Sequence, residues 1–170
     1  MATIIDASGT IMGRLASTVA KRLIQGESIV IVNSEKAVIT GAREATLRDY
    51  KNKRARGTQR FGPYFPRLPH MIVKRAVRGM MPYQTPRGRD AFRRLRVELG
   101  VPPTYSKMPL VKVPGALRPV KNGMTIGALS KDLGAPDRAP HKTPAPAAKA
   151  AKGEKPVKAA KPKTEKKVKA

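Results

Sequence analysis

The sequence predicts an α/β fold: a three-layer α/β/α domain built on a small, mostly parallel sheet of about four strands, followed by a disordered basic tail. Three observations carry this. The first 32 residues hold a short β-branched segment, a stretch with helical period and a continuous β-branched run, in that order. Proline and glycine then break the chain into short elements up to Pro136. Beyond Pro136 the composition shifts to Ala, Lys and Pro without any period.

Residues 3–7 (TIIDA) read as the first strand. A helix should open near Thr10 and run to Gln25, with Gly26 as its stop. Its apolar positions Ile11, Leu15, Val19 and Leu23, flanked by Met12, Ala16, Ala20 and Ile24, recur at the helical period. Residues 29–32 (IVIV) are apolar throughout, as expected of a strand covered on both faces. Strand, amphipathic helix and buried strand make a βαβ unit, which implies a parallel pair with a right-handed crossover. Residues 38–40 are a further short strand. A helix over about residues 43–53 is supported by the pairs Glu44/Arg48 and Asp49/Lys53, four residues apart.

Gly57, Gly62, Pro63, Pro66 and Pro69 make residues 55–69 largely irregular. A helix near residues 71–81 places Val73, Ala76, Val77 and Met80 on one face. Thr85-Pro86 then supplies a cap followed by proline at the first helical position. The helix it opens groups Gly88, Ala91, Phe92 and Leu95, with Arg89, Arg93 and Arg96 opposite. Residues 97–99 read as the last strand, and residues 125–133 as a short capped helix ending at Gly134. One domain therefore spans residues 1–136. Residues 137–170 cannot bury enough apolar surface to offset their ordering entropy and are expected to be disordered.

Charge narrows the function. The chain carries 36 Lys+Arg against 11 Asp+Glu, a formal +25, with a pI near 11.2. So large an excess opposes compaction through self-repulsion and implies a polyanionic partner, nucleic acid first. The tail holds 11 basic and 3 acidic residues, a net +8, and the body 25 and 8, a net +17. Sixteen of the body's cations are Arg, whereas the tail has ten Lys and only Arg138. Arg offers a planar fork that fits phosphate and stacks on bases, while Lys is a mobile point charge. The body is suited to defined contacts and the tail to diffuse ones.

Other classes find little support. Without cysteine there are no disulfides and no thiolate metal sites, and His70 and His141 are not spaced to bind a metal. No apolar run approaches the ~20 residues that span a bilayer, and the N-terminus lacks signal-peptide features. The expectation is a cytoplasmic protein with no membrane, no cofactor, no metal and no small-molecule substrate. The loop at residues 8–14, SGTIMGR, sits where phosphate-binding loops sit, but it matches neither G-x-G-x-x-G nor the P-loop. It reads as a tight strand-to-helix turn. Asp6 is the only carboxylate in a catalytically typical place, and a hydrogen bond to that turn explains it better.

Two constellations point to RNA. Arg54, Arg56 and Arg60 precede Phe61, Tyr64, Phe65 and Arg67, so three of the chain's seven aromatics share one loop with guanidinium groups. Unpaired bases stack on aromatic or Arg planes, and phosphates are held by Arg forks. At least one of these aromatics is expected to fold back as a satellite core. The second constellation is a pair of basic helices, one presenting Lys74, Arg75 and Arg78, the other Arg87, Arg89, Arg93 and Arg94. Like charges one turn apart cost a few tenths of a kcal/mol each, and Asp90 and Glu98 are too few to compensate.

Several segments, taken together, resemble one family. TIIDA, GRLAS (13–17) followed by Val19-Ala20-Lys21, IVIVN (29–33), EKAVITG (35–41), RAVRGMMP (75–82) and RGRDAFRRLRVELGVP (87–102) are similar to large ribosomal subunit protein thirteen, most closely its archaeal–eukaryotic branch. The resemblance covers about residues 3–134 in consistent order. It implies an α/β domain bound to large-subunit ribosomal RNA beside neighbouring ribosomal proteins, serving assembly and architecture, with the RAVRGM helix and the RGRDAFRRLR stretch against the RNA. The tail departs from it. Two rivals are a nucleotide-dependent or RNA-modifying enzyme on the same βαβ start, and a DNA-compacting protein suggested by the tail.

Overall fold

In the computed structural model, residues 2–136 are described except Gln59 and Lys121, and the expected tail lies outside the described residues. The two β-branched segments become adjacent parallel strands, β1 (Ala2–Asp6) and β2 (Ser28–Val32), with Ile4 opposite Val30 and Ile5 opposite Ile31. The amphipathic stretch between them is the crossover helix α1 (Met12–Ile24). It buries Leu15, Ala16, Val19, Ala20 and Leu23 in the main core with Ile5, Ile29 and Ile31. The alternate side chains Ile4, Val30 and Val32 point to the second face, where Tyr105 from a short 3-10 turn packs on them. Both faces of β2 are covered, which is why its sequence is apolar throughout. Among the described residues the cover on that second face is a turn, so the layer is thinner there than an α/β/α sandwich.

The fold is α/β with a mostly parallel sheet, as expected, and its strand count divides differently. A short β3 (Val38–Thr40) does not join β1 and β2; it pairs antiparallel with β5 (Gly123–Thr125), which the sequence did not reveal. The parallel sheet has three strands in the order β1-β2-β4, where β4 is Leu95–Val97. The strand expected at residues 97–99 thus lies two residues earlier than its apolar pattern suggests. Leu95 and Val97 face the core with Arg96 exposed between them, so Leu95 serves the sheet rather than the preceding helix. At the other edge, Val111 exchanges backbone hydrogen bonds with Ile4 and Asp6 (2.9 and 3.1 Å) and closes the open side of β1.

Helix α2 (Arg43–Ala55) has no fully buried residue and meets the core only through half-buried Leu47 and Tyr50. Helix α3 (Pro69–Gly79) starts two residues earlier than its apolar period implies, because Pro69 occupies a first-turn position where its missing N–H costs nothing. Ile72, Val73 and Val77 form its buried face, and Met80 stays exposed. Helices α4 (Pro86–Arg93) and α5 (Ile126–Asp132) each begin at a threonine cap, Thr85 Oγ1 accepting from Gly88 N at 3.2 Å and Thr125 Oγ1 from Ala128 N at 3.3 Å.

Candidate nucleic-acid interface

Helix α4 is set in place by a residue without a side chain. A Cβ on Gly88 would lie 2.0 Å from the Pro82 carbonyl oxygen, so only glycine lets the helix sit this close to the preceding turn. Thr85 ties the same turn together, donating to Pro82 O at 2.8 Å while it caps the helix. With Gly88 and Ala91 turned inward, Arg87, Arg89 and Arg93 project into solvent. Arg93 meets Asp90 at 3.3 Å yet keeps 81% of its side chain exposed, a pairing of little energetic weight.

Two chains of cations and rings flank α3. On one side Tyr83 and Phe92 meet edge to face at 5.4 Å, with the Arg78 guanidinium 5.3 Å from Tyr83 and Lys74 Nζ 5.4 Å from Phe92. On the other, Tyr50 and Phe65 meet edge to face at 5.5 Å, with Arg75 4.7 Å from Phe65 and Lys53 Nζ 4.8 Å from Tyr50. Burial pushes the Tyr50 phenol above its ordinary pKa. Each aromatic pair is therefore bracketed by two positive charges, an arrangement that holds the cations at the surface while the rings shield the core. Arg75 also donates to Tyr64 O at 3.1 Å, fixing the loop to the helix.

That loop turns sharply. Gly57 has φ +99, and Thr58 N donates to Phe61 O at 3.0 Å while Phe61 N donates back to Thr58 Oγ1 at 3.2 Å. The turn leaves Phe61 78% and Tyr64 65% exposed, next to exposed Arg56 and Arg60. Phe65 alone of the three loop aromatics folds back, as the satellite contact that the sequence anticipated.

Three of the expected contact residues also bond within the protein. Arg54 donates to Leu133 O, Arg67 to Gly134 O at 3.2 Å, and half-buried Arg94 to Leu23 O at 3.0 Å. Their guanidinium groups hold backbone carbonyls at the ends of α5 and α1. Conversely, Tyr50 and Tyr83, which the sequence did not single out, and Lys53 and Phe92, expected in an ion pair and on an apolar face, form these chains of rings and cations. The one available signal was that Lys53 lies three residues after Tyr50, and such spacing is too common to use alone.

The strand-to-helix turn is structural. Asp6 Oδ1 accepts from Ser8 N, Ser8 Oγ and Asn33 Nδ2 at 3.0, 2.8 and 2.8 Å. Burial pushes this carboxyl up, but the bonds from Asn33 and Ser8 more than offset that, and its pKa lies below the ordinary value. Among the described residues no group of His, Cys, Asp and Glu could hold a metal ion, and no helix is long and apolar enough to cross a membrane.

Residues 1–102, from the first strand through both basic helices, match the family model of ribosomal protein L13. The chain belongs to the ribosomal protein L13 family. Its relatives include the large ribosomal subunit protein uL13 of Methanococcoides burtonii, 52% identical over 135 residues that cover 78% of this chain and 97% of the relative. The protein of the same name from Archaeoglobus fulgidus is 56% identical over 115 residues, covering 68% and 74%. That of Methanosarcina barkeri is 60% identical over 101 residues, covering 59% and 72%. All three are archaeal, in agreement with the archaeal-type motifs. The family match ends just beyond β4, so it takes in the arginine-aromatic loop, α3 and α4, and stops before β5 and α5.

Proposed function

We propose that this member of the L13 family is a structural component of the large ribosomal subunit that binds large-subunit ribosomal RNA through one face of the molecule. That face comprises exposed Arg56 and Arg60 of the loop, Arg78 of α3 and Arg87, Arg89 and Arg93 of α4. One observation carries the reading: residues 54–81 contain no acid at all and α4 contains only Asp90, so a single carboxylate within these segments faces all of their cations. Phosphate oxygens satisfy such forks directly. Lys74 of α3 adds a point charge, and Phe61 of the loop an exposed ring.

The reading is non-catalytic. The one carboxylate at a strand end, Asp6, has its acceptor oxygen engaged by three donors of the turn and of Asn33. The protein works in the ribosome, in the cytoplasm, among the other proteins of the large subunit. A body of net +17 that neutralises about 6–10 phosphates should lose roughly three to five orders of magnitude in affinity between about 50 and 200 mM salt. Filter binding of the full chain to large-subunit RNA measures this, and tagged protein should co-sediment with large subunits. A salt slope near zero, or sedimentation with DNA instead, would overturn the reading.

A further inference from the structure

An open cleft of about 360 Å³ lies between the Tyr64–Pro66 segment of the loop, α3 and Phe92 of α4. Its walls are mostly apolar and aromatic: Tyr64, Pro66, Met71 and Phe92. Lys74, Arg75 and Arg78 line it from α3, and no acidic residue does. We propose that this cleft receives a single unstacked nucleotide of RNA, its base against Tyr64, Met71 and Phe92 and its phosphate held by Lys74 and Arg78. The proposal rests on the RNA-binding reading above and adds the kind of RNA element that docks here.

The chemistry of the walls favours that occupant over paired RNA. A duplex presents phosphates and sugar edges, and its deep, narrow major groove keeps base faces out of reach. A purely cationic face would serve it. This face carries rings and a thioether as well, and Tyr64 and Met71 remain 65% and 44% exposed. An exposed ring surface beside a row of cations matches a nucleobase with its own phosphate, because every base offers a π-face whatever its identity. The size agrees, being at the lower end of small-molecule pockets, with room for one nucleoside and not for a strand.

The cations divide the task. Arg75 is committed to the Phe65 ring and to Tyr64 O, so it steadies the wall. Lys74 and Arg78 sit over ring faces at 5.4 and 5.3 Å, and neither forms an ion pair with a carboxylate among the described residues. They can trade those ring faces for a phosphate with little rearrangement.

The test compares two RNA hairpins that differ by one unpaired 2-aminopurine in the stem, each titrated with the full-length protein. The bulged hairpin should bind about ten-fold more tightly, with its fluorescence quenched on binding. Tyr64→Ala removes a wall and Met71→Trp fills the cleft. Each should abolish the preference and the quenching while leaving the affinity and salt slope for the paired hairpin unchanged. Equal affinity of the unaltered protein for both hairpins, with a normal salt slope, overturns the nucleotide pocket and leaves the RNA-binding reading standing. Salt-independent binding to both overturns the two together. If the variants bind the bulged hairpin normally but no longer enter large subunits, the cleft takes a side chain of a neighbouring protein and the proposal falls.

Discussion

Three guanidinium groups converge on the end of α5, while three others project from α4 into solvent. At α5, Arg43 meets the Asp132 carboxylate at 3.3 Å, Arg54 donates to Leu133 O, and Arg67 donates to Gly134 O at 3.2 Å. Ser130 returns a hydrogen bond to Arg67 O at 2.7 Å. The last carbonyls of a helix lack intrahelical partners and carry partial negative charge, so they are natural ligands for Arg. The clamp therefore stitches a seven-residue helix, too short to be stable alone, onto α2 and the loop. At α4 the Arg94 N–H reaches the Ala91 and Phe92 carbonyls, and of Arg87, Arg89 and Arg93 only Arg93 meets a side-chain partner among the described residues, Asp90 at 3.3 Å. The two groups of arginines thus differ in whether their guanidinium groups are engaged by backbone carbonyls of the protein or left to solvent.

The comparison is broken most directly at α4. Arg89→Glu with Arg93→Glu should lower affinity for large-subunit RNA by about 100-fold or more and reduce the salt slope by roughly 2, one unit for each phosphate no longer neutralised. Both positions are solvent-facing, so the thermal midpoint should stay within about 1–2 °C of the parent. Filter binding and thermal denaturation on the same preparations check the two halves. A variant that assembles into large subunits as well as the parent would remove α4 from the interface.

The sequence told much about the frame and less about the surface, for physical reasons. The period of α1 and the unbroken β-branched run of β2 report burial, and burial is what fixes the core, so the βαβ start was legible. The pairing of β3 with β5 was not, because three-residue strands more than 80 residues apart leave no local period. For the candidate interface, the scarcity of acids around α3 and α4 showed where the charge accumulates. It could not show that Arg54, Arg67 and Arg94 reach carbonyls far along the chain, since a hydrogen bond from Arg94 to Leu23 depends on how the elements meet. The position of Phe65 inside and Phe61 outside likewise depends on the turn at Gly57, which only the backbone reveals.

A smaller effect sharpens the other side of the comparison. Arg54→Ala with Arg67→Ala removes two bonds to the α5 end from exposed side chains, so the loss should be about 1 kcal/mol in total. For a domain of this size that corresponds to a fall of roughly 4 °C in the thermal midpoint. Affinity for RNA and its salt slope should hardly change. The reverse outcome, an unchanged midpoint with a salt slope reduced by about 2, would place these arginines on RNA with those of α4.

The smallest effect is expected from deleting residues 137–170. Their +8 is almost all lysine, with a single guanidinium fork, Arg138, to fix geometry. Composition predicts that this segment contributes through diffuse attraction, which is screened beyond about 8 Å at physiological ionic strength. The truncated chain should therefore keep its thermal midpoint within about 1 °C. It should lose affinity clearly at low salt and less than about ten-fold at physiological salt. A midpoint lowered by several degrees would mean that the segment packs on the body, and the division between position-fixing arginines and diffuse lysines would have to be redrawn to include it.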